Sequence, residues 1–433
     1  MSMGFKYYLE TYGCSLNAAD SDIIVGRLEA IEGMRVKNIS DAELILLNTC
    51  GVKEPTEDKI IHRLEELAHE TTPIVVTGCL PKISLDRVEK AIPGYAALLG
   101  PQSVETLASI VPRILEGERG IRHIESDDTY KLKWFAGPPD SVICTIPICE
   151  GCLGSCAYCA VKFARGMVRS YSIEDIHQKI ERCVHLGYRE IRLTSQDAAV
   201  YGSDTGETLA GLLQSVSSIE GSHKFRLGMF NPNIVMSSIN DFLESMDNEH
   251  FFKFFHIPLQ SGSDRLLKTM KRRYIVSDWE SVVQRVRKRF KDATIATDII
   301  VGFHGESESD FEQTLELIQR LKPSVTNISK YGDRPNTLAS KSNEKVETSV
   351  KKQRSRILTK LVDKILVESN EAWIGWFGPV IITEEGSKGG MLGRNESYKT
   401  VIVHEDLSPG TIVDVEITSS ARTHLNGEVR SDA

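Results

Sequence analysis

The sequence contains a short run of cysteines whose spacing suits metal binding: in CLGSCAYC, Cys152, Cys156 and Cys159 are separated by three and then two residues. The run directly follows a predicted strand, so the three thiols share one tight loop. Three thiolates can hold three irons of a [4Fe–4S] cube and leave the fourth iron without a protein ligand. S-adenosylmethionine (SAM) can chelate that iron through its amino and carboxylate groups. An electron from the cluster then cleaves the C–S bond of SAM to give a 5′-deoxyadenosyl radical.

Zinc is the alternative metal for this loop, because Cys149 lies three residues before Cys152. Cys149 with Cys152, and Cys156 with Cys159, could form two thiolate pairs around one zinc ion. Zinc-binding pairs normally bracket a longer loop, and Cys149 falls inside the predicted strand rather than on the turn. The spacing therefore favours an iron–sulfur cluster.

Over about the first 115 residues, short apolar strands alternate with amphipathic helices. This pattern predicts a parallel sheet of the doubly wound type. The expected strands are Lys6–Thr11, Ala42–Asn48, Ile74–Thr77 and Ala96–Leu99. The expected helices are Asp20–Ile31, Glu54–His69 and Leu85–Ala91.

A second set of cysteines follows three of these predicted strands. Cys14, Cys50 and Cys79 occur in the settings Tyr-Gly-Cys, Asn-Thr-Cys-Gly and Thr-Gly-Cys, each just past a strand. The carboxyl ends of strands in an open parallel sheet share one edge, where ligands bind. Three unrelated buried cysteines are the alternative, since thiols are common in cores. The shared position after a strand favours convergence at a metal or cluster site.

The rest of the chain changes pattern twice. Residues 116–140 are rich in glycine, proline and charge and are predicted to form a linker or connecting hairpin. From 141 to 366, about six strand–helix units predict an incomplete (β/α)6 barrel that is open on one side. After Trp373, short alternating strands with glycine turns predict a small antiparallel β-barrel. The fold class is therefore α/β, with domains expected over 4–115, 138–366 and 371–431.

Composition and charge narrow the class of protein. The chain has 433 residues, a net charge of −8 and nine cysteines that are unevenly placed. A secreted protein held together by disulfide bonds would be shorter, and its cysteines would be evenly distributed. No stretch approaches the roughly 18 apolar residues that a membrane helix needs, and the N-terminus lacks the apolar region of a signal peptide. We expect a reduced, cytoplasmic, metal-binding protein without a membrane partner.

Three basic patches could bind nucleic acid locally despite the acidic overall balance. They are Lys268–Arg273, Arg285–Lys291 and Lys351–Lys360. The alternative for each patch is an ordinary solvated helix face.

The order of these features resembles a known family. The C-x3-C-x2-C loop with Tyr158 before its last cysteine resembles the radical SAM superfamily. The chain also resembles the methylthiotransferase family in the order of its features: three widely spaced N-terminal cysteines, this loop and a small C-terminal barrel. In that family the C-terminal domain is the TRAM RNA-binding domain. The resemblance covers nearly the whole chain. Further matching segments are ARGMVRS, LTSQDAAVYG, HIPLQSGSD, TDIIVGFHGES and YGDRPNTLAS.

The resemblance implies two [4Fe–4S] clusters and SAM as cofactors. Cys152, Cys156 and Cys159 would hold one cluster, and the N-terminal three cysteines would hold a second cluster that carries the sulfur to be inserted. One SAM would methylate that sulfur and another would yield the radical, so both clusters must face one cavity. The implied partners are tRNA, an electron donor and a sulfur donor. No catalytic residue beyond the cluster ligands is assigned.

Several polar residues follow barrel strands and are candidate contacts of SAM or substrate. The candidates for SAM are Tyr158, Gln196, Asp197 and Asn231, and Asn233, Gln260 and Ser261 occupy the same end of the barrel. A turn-forming or capping role is the alternative for each. Arg165 and Arg169 could bind either the SAM carboxylate or an RNA phosphate.

RNA recognition would fall to the terminal barrel and the basic helices. Arg394, Lys399 and Arg422 offer positive charge beside the rings of Tyr398 and Trp376, which could stack on bases. The alternative is core aromatics with ordinary surface charge.

Four segments are similar in sequence to the archaeal and eukaryotic branch of the family: NTCGVKEPTEDK, TGCLPK, CLGSCAYCAVKFARG and LTSQDAAVYG. That branch inserts a methylthio group at C2 of N6-threonylcarbamoyladenosine, position 37 of tRNA, next to the anticodon. The alternatives within the family are isopentenyladenosine of tRNA and an aspartate of a ribosomal protein. A non-catalytic iron–sulfur RNA-binding or sensor protein is the alternative of another class.

Overall fold

The computed structural model describes residues 4–127, 130–138 and 141–430. These residues form two compact units. The first unit comprises the described residues of 1–138 together with Cys149–Tyr171 and Gly332–Lys341, and the second comprises the remainder. All six cysteines of the two predicted sites belong to the first unit. No helix in the described ranges is both long and apolar enough to cross a membrane.

The helices and strands fall into three groups along the chain. The N-terminal part contains β1 (Phe5–Thr11), α1 (Ser15–Glu29), β2 (Gly33–Arg35), β3 (Leu44–Thr49), α2 (Glu54–Leu67), β4 (Ile74–Gly78), α3 (Leu80–Ile83), α4 (Leu85–Ala91), β5 (Ala97–Leu99), α5 (Val104–Leu115) and β6 (Ile121–His123). The middle part contains β7 (Ile143–Pro147), β8 (Cys149–Glu150), α6 (Val161–Arg165), β9 (Arg169–Ser170), α7 (Ile173–His185), β10 (Glu190–Thr194), α8 (Leu209–Ser217), β11 (Lys224–Leu227), α9 (Pro232–Val235), α10 (Ile239–Ser245), β12 (Phe254–His256), α11 (Asp264–Thr269), α12 (Val276–Arg289), β13 (Thr294–Val301), α13 (Glu308–Leu321) and β14 (Val325–Lys330). The C-terminal part contains α14 (Thr348–Glu371), β15 (Phe377–Glu385), β16 (Met391–Arg394), β17 (Thr400–Val403), β18 (Ile412–Ser420) and β19 (Leu425–Val429).

The first unit is built on a six-stranded parallel sheet with the order β2-β1-β3-β4-β5-β6. Every residue of β3 and β4 is buried, as expected for central strands that are covered on both faces. The chain leaves β1 towards β2 and then returns to β3 on the other side of β1, so the sheet has its topological switch point between β1 and β3. Ligands bind at this point in open α/β sheets. The predicted parallel sheet is confirmed.

The described residues of the segment 116–140 are not simply a linker or connecting hairpin, so that prediction was wrong in part; residues 128, 129, 139 and 140 lie outside the described residues. Strand β6 is the edge strand of the sheet and pairs with β5. A 3-10 turn over Lys131–Trp134 packs against α1 and buries Leu132 and the aliphatic stem and amine of Lys131. Because β6 has only three residues with no clear alternation, its sequence carries no strand pattern.

The second unit contains six parallel strands in two groups, β7-β10-β11 and β12-β13-β14. A single parallel bridge between Phe225 and Phe251 continues the order from β11 towards β12. Helices lie between successive strands, and four of them begin at a serine or threonine whose hydroxyl caps the helix: Ser172, Thr208, Ser263 and Ser307. The predicted partial barrel of six strand–helix units is confirmed.

The C-terminal strands form a closed barrel with the order β15-β16-β17-β19-β18. Its core is apolar and includes Val380, Val401 and Val415. The predicted small barrel is confirmed, but β17 pairs with β19 in parallel, so it is not antiparallel throughout. The 24-residue α14 precedes it and carries the basic patch Lys351–Lys360. This patch is partly internal, because Arg354 is buried and forms an ion pair with Glu306 at 2.7 Å.

Candidate functional site

Each N-terminal cysteine follows one of three neighbouring strands of the sheet. Cys14 follows β1 and is the residue from which α1 begins, Cys50 follows β3, and Cys79 follows β4 and begins α3. Since the order is β1-β3-β4, the three thiols lie along one edge, and Cys14 and Cys50 flank the switch point. The predicted positions of the thiols after their strands agree with the structure.

Glycine before two of these cysteines has a steric reason. Gly13 has a φ of +124°, and a Cβ atom there would lie 2.6 Å from the Cβ atom of Cys50. Gly78 has a φ of +99°, and a Cβ atom there would lie 2.3 Å from the carbonyl oxygen of Thr49. Both backbones therefore approach the end of β3 more closely than any other residue type permits. This close approach brings the thiol-bearing turns together.

The electrostatics of the N-terminal thiols show their proximity. Burial raises the pKa of Cys50 to about 11, and the neighbouring Cys79 and Cys14 thiols raise it further, while the backbone N–H of Val52 opposes them. Burial also raises the pKa of Cys79, which the guanidinium of Arg165 opposes. Three thiols this close repel one another as thiolates unless a cationic group lies among them. The donor set therefore fits a metal group.

Within residues 4–127, 130–138 and 141–430, no three thiol, imidazole or carboxylate side chains converge closely enough to hold one metal ion.

The second cysteine set lies on the loop between β8 and α6. Gly151 has a φ of +76°, and the backbone N–H of Gly154 donates a hydrogen bond of 3.2 Å to the Cys152 Sγ atom. A Cβ atom on Gly154 would lie 3.2 Å from the Cys152 Sγ atom and 3.7 Å from the Cys156 Sγ atom. The loop thus folds its backbone around its own thiols. Cys149, which a zinc site would require on the loop, is fully buried in β8.

The two cysteine sets are in contact through the helices that follow them. Helix α3, which Cys79 begins, packs against α6. Cys79 and Ile83 form one apolar cluster with Ala160 and Ala164, and Ala160 is the residue after Cys159. The structure therefore places both sets side by side in one compact unit, as a shared cavity would require.

A network of four buried charged residues, which the sequence analysis did not find, lies beside both sets. Lys131 forms ion pairs with Asp20 at 2.5 Å and Glu150 at 2.9 Å. Arg165 forms ion pairs with the same two carboxylates at 2.5 and 3.5 Å. The four residues are each at most 3% exposed. Since two cations face two anions, the network is neutral and tolerates burial.

The network also corrects an interpretation of Arg165. Its guanidinium is 1% exposed and is held by Asp20 and Glu150, so it cannot contact an RNA phosphate, and that alternative was wrong. Its Nε atom instead donates a hydrogen bond of 3.3 Å to the Cys79 Sγ atom. No sequence pattern links residues 20, 131, 150 and 165, because only the tertiary fold brings them together.

The candidate SAM residues of the second unit include one tight pair. Asp197 accepts hydrogen bonds from the Asn231 amide side chain at 2.6 Å and from the Asn231 backbone N–H at 3.0 Å. Burial raises the pKa of Asp197, which these bonds oppose. Between the end of β10 and Asp197, the Ser195 hydroxyl and the Gln196 Oε1 atom are buried without a hydrogen-bond partner among the described residues. These two atoms fit a ligand that carries polar groups, such as SAM.

Tyr158 belongs to the first unit, where it is partly buried on the cysteine loop. The sequence analysis also missed a polar group in the second unit. The His256 Nε2 atom lies 2.7 Å from an Asp298 carboxylate oxygen, and Asn327 donates to the other oxygen at 2.9 Å. Asp298 carries a sequence signal, because it interrupts the apolar strand β13, and His256 ends the apolar strand β12. Asn327 carries none, because it lies in the largely polar β14.

The three candidate RNA-binding residues have partners inside the chain. Lys399 donates to the Asn370 side chain at 3.0 Å, and burial lowers its pKa to about 8. The Arg394 guanidinium lies 4.7 Å from the centre of the Tyr398 ring. Arg422 is exposed and forms an ion pair with Asp363 at 2.8 Å. The RNA-binding role of these residues stays a prediction.

Three family models match separate stretches of this chain. The Radical SAM superfamily matches residues 146–318, Uncharacterized protein family UPF0004 matches residues 6–100, and the TRAM domain matches residues 378–429. These stretches contain the cysteine loop, the N-terminal sheet and the closed barrel, respectively.

Two curated relatives match almost the full length of the chain. The probable threonylcarbamoyladenosine tRNA methylthiotransferase of Pyrococcus abyssi is 37% identical over 98% of this chain and 100% of its own. The threonylcarbamoyladenosine tRNA methylthiotransferase of Homo sapiens is 33% identical over 99% of this chain and 74% of its own.

Among solved structures, a radical S-adenosylmethionine methyltransferase, TsrM from Kitasatospora setae with cobalamin and a [4Fe-4S] cluster bound, matches with a TM-score of 0.59. The match covers 78% of this chain and 74% of that chain, at 13% sequence identity. This likeness supports the fold alone.

Proposed function

The chain belongs to the family of threonylcarbamoyladenosine tRNA methylthiotransferases, which are radical SAM enzymes, and from that membership we propose its substrate and its site. We propose that it inserts a methylthio group at C2 of N6-threonylcarbamoyladenosine at position 37 of tRNA. Membership of the radical SAM superfamily implies SAM and one [4Fe–4S] cluster. A second [4Fe–4S] cluster, a sulfur donor, an electron donor and a cytoplasmic location are further parts of the proposal.

One observation carries the proposal: two cysteine sets, more than 70 residues apart in the sequence, lie in one unit and touch through α3 and α6. Cys152, Cys156 and Cys159 would hold the cluster that binds SAM. Cys14, Cys50 and Cys79 would hold the second cluster. When bound, the two clusters supply the electron that cleaves SAM and a carrier for the sulfur.

The remaining residues would bind and orient the substrates. Gln196 offers a buried acceptor for the amino group of SAM, and the Asp197–Asn231 pair fixes the turn that presents it. Tyr158 would lie against the SAM adenine. In the terminal barrel, Arg394, Lys399 and Arg422 would contribute to an RNA-facing surface.

The test is an anaerobic incubation of reconstituted protein with SAM, a low-potential reductant and bulk tRNA that carries threonylcarbamoyladenosine but lacks the methylthio group. The tRNA is then digested to nucleosides, which are identified by mass spectrometry. We expect 2-methylthio-N6-threonylcarbamoyladenosine to accumulate. A product on isopentenyladenosine, or on a ribosomal-protein aspartate when ribosomes are added, would contradict the proposed substrate.

Cysteine variants separate the roles of the two sets. Alanine at positions 152, 156 and 159 should remove one of two cubes, about four of eight irons, and abolish 5′-deoxyadenosine formation. Alanine at positions 14, 50 and 79 should remove the other cube and abolish methylthio insertion, while 5′-deoxyadenosine still forms.

Cys183→Ala, a buried cysteine outside both sets, is the matched control and should keep both activities. If the wild-type protein binds tRNA and iron but forms no 5′-deoxyadenosine, it is a sensor or binding protein and the proposal fails.

A further inference from the structure

We propose that Arg165 is a positioning residue that joins the two cysteine sets and raises the reduction potential of the cluster at Cys14, Cys50 and Cys79. The inference rests on the proposed function, because it requires a cluster at these three thiols. In this inference, the Arg165 side chain belongs to the segment of the SAM-binding loop but affects the cluster at the N-terminal cysteines.

The geometry places one residue in both sites. Arg165 ends α6, six residues after Cys159, so its backbone belongs to the segment that carries the SAM-binding loop. Its backbone carbonyl accepts a hydrogen bond of 3.1 Å from the Gln102 side chain. Its Nε atom donates to the Cys79 Sγ atom at 3.3 Å, and the contact is fully buried. The side chain therefore bridges from the loop of one cysteine set to a thiol of the other.

The surroundings hold the guanidinium in place and keep it charged. Asp20 binds one terminal nitrogen at 2.5 Å and Glu150 lies 3.5 Å from the other, so the Nε atom is the one aimed at the thiol. An arginine with two buried carboxylates stays protonated at every working pH. Its rotation would break two ion pairs that have no access to water.

The other cations near the N-terminal thiols differ in their contacts. Lys131 pairs with the same two carboxylates, Asp20 and Glu150, but its ammonium contacts no cysteine among the described residues. Arg334 is buried in an ion pair with Glu57 and lies within electrostatic reach of Cys50. Lys82 lies within electrostatic reach of Cys79. Of these four cations, Arg165 is the one with a described hydrogen bond to a thiol of this set.

A hydrogen bond and a positive charge at a ligating sulfur favour the reduced cluster, which carries one more negative charge. In a buried site this effect is not screened by solvent. Removing it should lower the equilibrium constant for one-electron reduction by at least about tenfold, which corresponds to about 59 mV for a one-electron couple.

The experiment uses the full-length chain with alanine at positions 152, 156 and 159, so that only the N-terminal cluster is present. Its midpoint potential is measured by an anaerobic titration with dithionite that is followed by electron paramagnetic resonance. In this background, Arg165→Met is compared with Lys131→Met, which removes the other cation from the same network. Arg165→Lys keeps the charge but loses the fixed N–H donor.

We expect Arg165→Met to lower the midpoint potential by the tenfold equivalent or more, Arg165→Lys to lower it by less, and Lys131→Met to change it by less than either. Equal shifts in Arg165→Met and Lys131→Met would refute the inference, because a merely structural network predicts equality. If Arg165→Met fails to hold iron, Arg165→Lys decides by the same comparison with Lys131→Met. A background protein without a cube would refute the proposed second cluster as well, whereas a cube of unchanged potential would refute the inference alone.

Discussion

Replacing Tyr398 should loosen the C-terminal barrel from the strands of the second unit. Its ring packs against Phe252 and Phe254, with centroids 4.9 and 5.2 Å away, and its hydroxyl donates to the buried carboxylate of Glu190. The Arg226 and Arg394 guanidinium groups lie within 5.2 Å of the ring centre. One side chain thus combines apolar, cation–π and hydrogen-bond contacts across this junction.

The structure sets the expected magnitudes. Tyr398→Phe removes one hydrogen bond to the Glu190 carboxylate, and this loss should cost about 1.5 kcal/mol. Glu190 still accepts a hydrogen bond of 2.6 Å from the Arg192 Nε atom in this variant. Tyr398→Ala also removes the ring, and a buried aromatic truncation with two cation–π contacts costs about 5 kcal/mol. The barrel core lies elsewhere, around Val401 and Val415, so the barrel should stay folded while its docking weakens.

Hydrogen–deuterium exchange reports the docking directly. The backbone N–H of Lys253 donates to the Glu396 carbonyl at 2.8 Å, and its exchange requires the junction to open. At about 1.4 kcal/mol per tenfold change, Tyr398→Phe should speed this exchange about tenfold and Tyr398→Ala by more than about 100-fold.

Phe377→Ala is the control for the exchange experiment, because this ring is 53% exposed on the same barrel, and exchange at Lys253 should not change. Unaltered exchange in Tyr398→Ala would refute the docking role.

Three further predictions concern single residues. Burial raises the folded-state pKa of Asp22 to about 7, so its charge costs stability as pH rises from 4 to 7. Asp22→Asn should therefore raise the free energy of unfolding at pH 8 by about 2 kcal/mol, after allowing for partial exposure, and hardly change it at pH 4, as followed by the melting temperature at each pH. Hydrogen bonds outweigh burial and hold the pKa of Asp310 well below its usual value, so the stability that it contributes is present above pH 4 and is lost as pH falls further. Asp310→Asn should therefore cost about 2 kcal/mol in thermal unfolding at pH 7, and this cost should shrink progressively as pH falls below 4 towards the depressed folded-state pKa. Gly151→Ala should halve the bound iron in a colorimetric assay, because the added Cβ atom would lie 1.9 Å from the Met167 carbonyl oxygen.

The sequence predicted best those elements whose pattern is long and local. The helix predicted over Leu85–Ala91 has the bounds of α4, and the strands predicted over Lys6–Thr11 and Ile74–Thr77 differ from β1 and β4 by one residue, because each has a clear local pattern of apolar residues. Strands β2 and β6 were missed, since their three residues show neither alternation nor the continuous apolar run that marks β5. The resemblance to the methylthiotransferase family, which rested on the order of the cysteine sets and the terminal barrel, is confirmed by the relatives and family models.

The sequence predicted only those residues of the candidate site whose position is fixed relative to a neighbouring strand. The placement of Cys14, Cys50 and Cys79 after parallel strands follows from topology, and the structure agrees with it. The network of Lys131 and Arg165 could not be predicted, because Lys131 lies in a segment whose composition is that of a linker. Which buried carboxylate meets which cation is decided by tertiary packing and not by local sequence.

The first unit is assembled from three separate stretches of the polypeptide, and this has a consequence for its biosynthesis. Asp20 emerges from the ribosome long before Arg165, its partner at 2.5 Å, and Gly332–Lys341 arrives later still. Until then, Asp20 must remain hydrated, because an unpaired carboxylate is too costly to enclose. A nascent chain or a fragment that stops near residue 138 is therefore expected to stay open and sensitive to proteases, and the cysteine-bearing edge should close only after about three-quarters of translation.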